Sequence, residues 1–374
     1  MSLIWIVNIL SVFFLCVFFA GIVIPQILLI AFRRRLFDEP DERKIHQCVV
    51  PRLGGMAFKP VVFFSFVLLL AVNVSTGHDE LLKEIGAEAL PLAYAFCAII
   101  MLYLVGIADD LIGVRYRAKF FIQIVCGIML VAGGVELSDL HGMLFIHSMP
   151  SWISIPLTVF VTVFIINAIN LIDGIDGLAS GLCSVACLCY GLTFFMLHQH
   201  VYAILAFATL GVLVPFFYYN VFGNAEHGRK IFMGDTGSLT VGMMLCLLSL
   251  KLTMCGTDDN TVHINPMVLA FSPLLIPCCD VVRVYLHRVR NGKNPFLPDK
   301  NHIHHKLLAV GMQQRSVMII VISVSTVFIL FNILLSLYLN VNWIVLVDIL
   351  IWTFTNIRLT KRIGQLQSRQ ATNK

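Results

Sequence analysis

The chain has 374 residues, of which 59% are hydrophobic and only 13% are charged, and its formal net charge is +5. A soluble domain carries about 25% charged residues, so this composition excludes an ordinary soluble protein and indicates an integral membrane protein with many spans. The basic residues follow the predicted topology given below, so the positive charge does not indicate a nucleic-acid partner. The 11 cysteines include no C-x-x-C pair and mostly lie in apolar runs, which argues against a disulfide framework or a cysteine zinc site.

Apolar runs of about 20 residues predict membrane-spanning helices. Arg33 follows the first run, which is the reverse of the charge order in a cleaved signal peptide and predicts an uncleaved first span. We predict an all-α fold with about eleven spans, near 4–32, 56–74, 90–108, 119–135, 153–172, 178–197, 201–219, 238–254, 266–286, 316–339 and 342–359.

The positions of Lys and Arg predict the direction of these spans. Of the 26 Lys and Arg residues, all but Lys83 and Lys251 fall in or beside the odd-numbered loops and the C-terminal tail. Because cytoplasmic loops are enriched in basic residues, the N-terminus is predicted outside and the C-terminus in the cytoplasm. The chain then forms one transmembrane domain over 1–374, with cytoplasmic loops at about 33–55, 106–118, 173–177, 220–237 and 287–315 and a basic tail at 358–374.

The first cytoplasmic loop carries Arg43, Lys44 and His46, followed by the segment Pro51-x-x-Gly54-Gly55. Glycines allow a backbone to approach a ligand closely, and neighbouring cations suit phosphate. By itself this segment is only a weak indication of a phosphate site.

Two adjacent carboxylates, Asp109 and Asp110, end the third predicted span. They repel each other, and a metal ion, Arg115 or Arg117 could relieve the repulsion. The alternative is a solvated pair at a helix end.

The densest polar segment runs from Asn167 through Asn170, Asp173 and Asp176, between two apolar runs. Hydrocarbon does not tolerate free carboxylates or irregular backbone unless they face protein or water. The segment therefore predicts a functional site where a span reaches water, in preference to an ordinary polar loop.

The seventh loop ends in Phe232-Met233-Gly234-Asp235-x-Gly237-Ser238, just before a predicted helix. Its aspartate could simply cap that helix, or it could bind phosphate and metal together with the free backbone N–H groups. Phe232 is placed to stack on a planar ring.

The ninth loop contains His302, His304 and His305. Such a cluster could bind zinc, but no cysteine joins it and its surroundings are basic, so phosphate binding is favoured. In the preceding span, Asp280 and Arg283 are spaced to pair on one helix face.

All these polar motifs fall on the predicted cytoplasmic side. Mg²⁺ prefers a few carboxylates plus substrate phosphate oxygens, so the set predicts phosphoryl-group chemistry on a lipid substrate. A transporter would place its ionisable groups near the bilayer midplane, and this pattern does not.

In this order, the motifs resemble those of the polyprenyl-phosphate N-acetylhexosamine-1-phosphate transferases of glycosyltransferase family 4, over almost the whole chain. The long Asn167-to-Ala179 motif and His302-x-His304-His305 are the specific ones. The chain is most similar to the bacterial branch that places GlcNAc-1-phosphate on undecaprenyl phosphate. His-x-His-His, in place of three consecutive histidines, argues against the branch that transfers phospho-MurNAc-pentapeptide.

The resemblance implies a UDP-N-acetylhexosamine donor, undecaprenyl phosphate as acceptor, release of UMP, and Mg²⁺ or Mn²⁺ as the metal. UDP-GalNAc, a modified UDP-N-acetylhexosamine and UDP-MurNAc-pentapeptide remain alternative donors. The enzyme would act at the cytoplasmic face of a bacterial inner membrane, in the first membrane step of a cell-surface polysaccharide pathway such as that of O-antigen (part of lipopolysaccharide), enterobacterial common antigen or the linkage unit of teichoic acid in the cell wall. A homodimer is compatible with the resemblance.

The resemblance also implies a role for each matching residue. Asp235 would bind the metal, with Asn170 beside it, and the catalytic carboxylates would be Asp109, Asp110, Asp173 and Asp176. Asp109 would act as base or orienting group, or form an aspartyl-phosphate. The implied substrate-binding residues are Arg43, Lys44, His46, Asn167, Asn220, Phe232, His302, His304 and His305.

One segment departs from the family pattern. The family often has an Asn about ten residues before the aspartate of Gly-Asp-x-Gly-Ser, whereas position 225 is Ala here. Residues 221–228 look like a short insertion, and Asn220 or Asn224 could supply the contact.

Overall fold

A computed structural model of the chain describes residues 2–34, 36, 50–255, 264–292, 294 and 301–372. Within these ranges the only extended pairing is one isolated antiparallel bridge, between Asp139 and Ser148, which confirms the predicted all-α fold. The helices are α1 (Ser2–Arg34), α2 (Phe58–Ser75), α3 (Glu80–Ala87), α4 (Ala89–Ile112), α5 (Tyr116–Ala132), α6 (Ser151–Ile172), α7 (Leu178–Met196), α8 (His200–Val221), α9 (Gly234–Met254), α10 (Pro266–Phe271), α11 (Leu275–Arg290), α12 (Ile303–Ala309), α13 (Gln314–Ser336) and α14 (Val341–Thr372).

Ten stretches of the described chain are helical, long and apolar enough to cross a membrane, and they coincide with ten of the eleven predicted spans. One of the ten is broken: α10 and α11 are separated by a 3-10 turn at Ser272–Leu274. The remaining predicted span, near 119–135, is α5, whose 17 residues are at the short end of what crosses a bilayer. The predicted tail continues α14 as helix to Thr372.

The centre of the bundle is α9. Its sequence has no polar face, and every residue from Thr236 to Thr253 is buried. It packs along α4 and α6, with α7 and α10 also in contact. A Cβ built at Gly242 would lie 3.1 Å from the Cα of Ile166 in α6, so the small residue lets the two backbones approach closely.

The start of α9 meets the ends of α4 and α6. Asp110, near the end of α4, accepts a hydrogen bond from the backbone of Asp235 (2.7 Å). Asn170, near the end of α6, donates to the Asp235 carboxylate (3.2 Å). We call this end of the bundle, marked by Asp110, Asn170 and Asp235, the polar end.

The Pro51–Gly55 segment runs beside the residues that precede α9. Phe232 N–H donates to Pro51 O, and Gly54 N–H donates to Phe232 O, both at 2.9 Å. A Cβ at Gly55 would lie only 2.0 Å from Gly237 N, so nothing larger than glycine fits. We predicted that these glycines allow the backbone to approach a ligand closely. In the structure they allow it to approach the first turn of α9 and the residues just before it.

Candidate active site

A lysine joins two of the predicted carboxylates at the polar end. Lys119 Nζ lies 3.1 Å from Asp109 Oδ2 and 2.7 Å from Asp235 Oδ2, in the first turn of α5. All three side chains are partly exposed, so they can be reached from outside the protein. One ammonium group thus separates two carboxylates that come from α4 and α9.

Asn170 orients the second of these carboxylates. Its Nδ2 donates to Asp235 Oδ1 at 3.2 Å and to Ser238 Oγ at 2.8 Å. The predicted neighbourhood of Asn170 and Asp235 is therefore present, with the amide nitrogen facing the carboxylate.

Asp110 caps the first turn of α9. Its Oδ1 accepts from Asp235 N–H at 2.7 Å, and its Oδ2 accepts from Thr236 N–H at 2.9 Å and Thr236 Oγ1–H at 2.6 Å. Gly234 has φ +71, and a Cβ there would lie 2.6 Å from Asp110 Oδ2, so the position requires glycine. Asp110 acts on the orientation of Asp235 through the backbone.

The repulsion between Asp109 and Asp110 is relieved differently from our prediction. Arg115 and Arg117 are exposed on the surface, and Arg117 Nε lies 3.2 Å from the Tyr116 hydroxyl. Lys119 pairs with Asp109, and backbone N–H groups at a helix N-terminus neutralise Asp110. The prediction was wrong for Arg115 and Arg117, because the cation that reaches Asp109 is Lys119, one turn further along α5; its alternative, a metal ion, stays a prediction.

Asp173 and Asp176 lie in the loop between α6 and α7. Desolvation by surrounding atoms, together with the charges of Asp235 and Asp176, raises the pKa of Asp173 to about 7, although the side chain remains exposed to solvent. Asp176 Oδ2 accepts from Lys230 Nζ at 2.5 Å. In this loop Asp173 is exposed and interacts with the charge of Asp235, whereas Asp176 pairs with Lys230 in the segment before α9.

Asn220 holds this loop against that same segment. Its Oδ1 accepts from Gly177 N–H at 2.6 Å, and its Nδ2 donates to Ile231 O at 2.8 Å. The side chain is buried, as expected for a residue that joins two loops. Asn224, the other candidate, forms a local turn by accepting from Glu226 N–H at 2.8 Å.

Asn167 lies almost one turn before Asn170 on α6 and belongs to a different contact. Its Nδ2 donates to Gln123 Oε1 at 2.5 Å, and it also donates to Val163 O at 2.7 Å. These bonds join α6 to Gln123 of α5, and among the described hydrogen bonds of Asn167 none reaches a carboxylate.

The histidine segment is organised by Asp280. Arg283 Nη2 lies 2.8 Å from Asp280 Oδ1, which confirms the predicted pair, and Ile303 N–H donates to the same oxygen at 3.0 Å. His302 Nδ1 lies 2.8 Å from Asp280 Oδ2. One carboxylate of α11 therefore fixes the start of α12.

His304 is buried against the loop that carries Asp173. A Cβ built at Gly174 would lie 2.2 Å from His304 Nε2. Burial, and next the neighbouring His305, lower the pKa of His304 to about 3, so this imidazole is neutral near pH 7. His304 Nδ1 is buried and has no hydrogen-bond partner in the described part of the chain. The half-buried His305 ring lies 4.3 Å from that of His304.

The remaining predicted residues are Phe232 and the first-loop cluster. Lys230 Nζ lies 5.9 Å from the centre of the Phe232 ring, in the segment that also binds Asp176. Arg43, Lys44 and His46 lie outside the residues that the structure describes.

A divalent cation would find hard oxygen ligands where Lys119 now bridges Asp109 and Asp235. Among the described residues no three His, Cys, Asp or Glu side chains converge on one point. Mg²⁺ is typically held by one or two carboxylates plus substrate phosphates, and Asp109 and Asp235 supply carboxylates of this kind. The donor set at Asp109 and Asp235 therefore suits the metal that the resemblance implies.

Sequence reasoning missed Lys119 and Lys230 as site residues and counted both only as topological charge. A signal was present for Lys119, since it is the last cation before the apolar part of α5 and follows Asp109 by ten residues. For Lys230 the only signal was its place two residues before Phe232.

Comparison with known proteins adds the family. The sequence profile of glycosyl transferase family 4 matches residues 92–253, which include Asp109, Lys119, the Asn167-to-Asp176 segment and Asp235. The undecaprenyl-phosphate alpha-N-acetylglucosaminyl 1-phosphate transferase of Yersinia pestis is 30% identical over 299 residues, 78% of this chain and 74% of the relative. This chain belongs to glycosyl transferase family 4.

Other members of family 4 show the same breadth of match. The enzyme of the same name from Escherichia coli K12 is 32% identical over 293 residues, covering 76% of this chain and 72% of its own. The decaprenyl-phosphate N-acetylglucosaminephosphotransferase of Mycobacterium leprae is 31% identical over 295 residues, covering 75% and 72%. The predicted family, a multi-pass membrane transferase, is thus confirmed.

Proposed function

We propose that this chain transfers N-acetylglucosamine-1-phosphate from UDP-GlcNAc to undecaprenyl phosphate, releasing UMP. Its relatives from Yersinia pestis and Escherichia coli are named for this acceptor and this sugar phosphate. The observation on this chain that carries the proposal is the Lys119 bridge between Asp109 and Asp235. Alternating fixed charges of this kind suit a reaction that moves negative charge from one phosphate to another.

The bond changes are those of a single displacement. An oxygen of the lipid phosphate forms a bond to the sugar-linked phosphorus of the donor, the bond to the bridging oxygen breaks, and the electron pair leaves with UMP. A phosphate monoester is already largely ionised at neutral pH, so the chemistry does not require a strong base. Asp109 then serves to orient the acceptor and Lys119.

A covalent phospho-aspartate at Asp109 is the less favoured route. The carboxylate already accepts from Val114 N–H at 2.6 Å through Oδ1 and pairs with Lys119 through Oδ2. A nucleophilic oxygen would have to give up one of these contacts, and the proposed metal, which would replace Lys119 at this carboxylate, would lower its nucleophilicity in the same way.

Mg²⁺, with Mn²⁺ as an alternative, is the proposed metal, held by Asp235 and Asp109. When bound it would neutralise the diphosphate and the departing UMP. The protein's own residues would do the rest. Lys119 would bind phosphate oxygens, and Asn170 and Asp110 would fix Asp235. Lys230, through Asp176, would hold the loop at residues 173–177 between α6 and α7, which we call the donor-side loop.

The membrane location is also part of the proposal. The excess of Lys and Arg in the odd-numbered loops supports a cytoplasmic active site in a bacterial inner membrane. The ionisable cluster lies where α4 and α6 end and α9 begins, and a transporter would have it near the midplane instead.

The test uses the purified chain in detergent with undecaprenyl phosphate and radiolabelled UDP-GlcNAc, with Mg²⁺ or with EDTA. We expect metal-dependent label in the lipid phase and one UMP per transferred label. Asp235→Asn should fold but lose transfer, because Lys119 and the proposed metal lose a charged ligand. Full activity of this variant with unchanged Mg²⁺ dependence would contradict the role of Asp235.

A donor panel of UDP-GlcNAc, UDP-GalNAc and UDP-MurNAc-pentapeptide separates the proposal from its nearest alternatives. Preferred use of another donor would leave the proposed transfer reaction standing and would contradict the assignment of GlcNAc as the sugar. Failure of every donor in the presence of metal and acceptor would overturn the reaction itself.

A further inference from the structure

A cavity of about 870 Å³ lies between the last turns of α1 and the turn that follows α8. It does not include the carboxylates of the candidate active site. Its walls are formed by Leu29, Phe32, Tyr218, Phe222, His227 and Arg229, among others. Part of this lining comes from residues 221–228, the segment in which the chain departs from the family pattern.

The turn at the rim of the cavity is held by its own hydrogen bonds. Asn224 accepts from Glu226 N–H at 2.8 Å through its side chain and from Arg229 N–H at 2.9 Å through its carbonyl. Gly228 has φ +62, and a Cβ there would lie 3.0 Å from the Phe32 ring. The turn is therefore pre-shaped and rests directly on α1.

The side of the cavity formed by α1 and the end of α8 is apolar and open. Leu29 is 44% exposed, Tyr218 61% and Phe222 59%. These side chains lie close to the point where the first span ends at the exposed pair Arg33 and Arg34. Such a surface, next to the level where a span leaves the bilayer, suits a lipid chain.

The rim is basic. Arg229 and His227 line it, and the guanidinium carbon of Arg315 lies 5.7 Å from the centre of the Phe222 ring. The exposed Arg33 and Arg34 stand at the end of α1, and Glu226 is the only acidic residue in the described lining of the cavity. This charge balance favours an anionic head group.

A second cavity on α1 provides an internal contrast. It has about 950 Å³, lies toward the other end of the helix, and is lined by Leu10, Asn8 and Asn73 among others, with no Lys, Arg, Asp or Glu in its described lining. The amides of Asn8 and Asn73 bond to each other at 3.0 and 3.2 Å. This cavity offers space for a chain but no charge for a head group.

We propose that the basic cavity binds an anionic phospholipid, with an acyl chain along Leu29, Tyr218 and Phe222 and the phosphate at Arg229. The turn leads directly into Lys230, the partner of Asp176, and Ile231, the partner of Asn220. Occupation of the cavity therefore steadies the segment that supports the donor-side loop. Only this last consequence rests on the proposed function; the binding itself does not.

The experiment measures thermal unfolding of the full chain in a neutral detergent, followed by tryptophan fluorescence. Phosphatidylglycerol, phosphatidylcholine with the same acyl chains, and inorganic phosphate are each added in series. We expect a saturable rise in unfolding temperature with phosphatidylglycerol, and little change with the other two. An equal rise with phosphatidylcholine would overturn the anionic head-group site, and an equal rise with inorganic phosphate would show a free-phosphate site instead.

Two variants locate the effect. Arg229→Gln should raise the half-saturating phosphatidylglycerol concentration about fivefold, the effect of one cation near an anionic lipid. Arg290→Gln, an exposed arginine at the end of α11, is the matched control and should not change it. Equal effects of both substitutions would indicate general surface charge and overturn the site.

A pair of tryptophan substitutions tests the apolar part without touching charge. Leu29→Trp should fill the cavity and abolish the phosphatidylglycerol effect. Leu10→Trp places the same bulk in the second cavity, where Leu10 is 49% exposed, and should leave the effect intact. Retention of the full effect in Leu29→Trp would overturn the proposed chain position.

Discussion

His304 packs directly on Gly174, with the imidazole Nε2 only 2.2 Å from where a Cβ of residue 174 would lie. His304 belongs to α12, whereas Gly174 stands between Asp173 and Asp176 in the loop after α6. The contact joins the two sequence motifs that are most specific for the family. It assigns to His304 a role in holding the loop in place.

Gly174→Ala should therefore disrupt the loop. The added methyl group collides with a buried ring, and we expect at least tenfold lower transfer activity with a lower unfolding temperature. Gly86→Ala is the matched control, because a Cβ at Gly86 meets nothing within 4 Å. A second substitution, His304→Ala, should restore part of the stability lost in Gly174→Ala. Wild-type activity and stability in Gly174→Ala would contradict the contact.

Lys119→Met should lower kcat by a factor of about 10²–10³, the usual effect of removing one preorganised group that stabilises transition-state charge. It also leaves Asp109 and Asp235 without the cation between them. Steady-state rates across a Mg²⁺ series measure both effects, and Arg117→Met provides an exposed control in the same helix. If the two variants had equal rates, Lys119 would have no special role.

Asp110→Asn should reduce stability more than Asp109→Asn does. An Asn at 110 keeps one acceptor oxygen but turns its NH2 group toward the backbone N–H of either Asp235 or Thr236, so one donor loses its partner and we expect a loss of about 1–3 kcal/mol. Asp109→Asn should instead remove activity with a smaller change in unfolding. Chemical or thermal unfolding measures the change in stability of each variant, and the transfer assay measures its change in activity. A larger loss of stability in Asp109→Asn and a larger loss of activity in Asp110→Asn would exchange the two roles.

The pH dependence of stability should carry a signature of His304. Its folded-state pKa is about 3, below the ordinary histidine value of about 6.5. Between these values the unfolded chain binds more protons than the folded one, so stability is fully present above pH 6.5 and decreases as the pH falls toward 3.

We therefore expect the unfolding temperature to drop more between pH 7 and pH 5 in the wild type than in His304→Asn. Asp173, whose pKa is raised to about 7, contributes in the opposite direction, and an Asp173→Asn background removes this contribution from both proteins. Parallel pH curves would contradict a buried neutral His304.

The spans and the polar motifs could be predicted because each consists of consecutive residues. Apolar runs of bilayer length identify the helices, and carboxylates such as Asp173 stand out against them. The arrangement of side chains at the polar end could not be predicted in the same way. Lys119 finds its partner Asp235 across 116 positions, and in sequence it resembles the surface residues Arg115 and Arg117.

The glycines show the same limit. The sequence indicates that Gly54 and Gly55 permit a close approach, but not what approaches. The structure places the start of α9 there, so these glycines serve helix packing. Likewise Asn220 could be identified as a candidate contact, whereas its bonds to Gly177 and Ile231 depend on how two loops meet in space.

The cap of α9 comes from α4, and the cover of the donor-side loop comes from α12. Synthesis from the N-terminus therefore produces Asp109 and Asp110 more than 120 residues before the turn that Asp110 caps, and Gly174 about 130 residues before His304. A nascent chain that ends before α12 contains the loop with Asp173 and Asp176 but lacks the His304 ring that packs on Gly174 in that loop. The site is therefore complete only after α12 has been synthesised and has packed on the loop between α6 and α7.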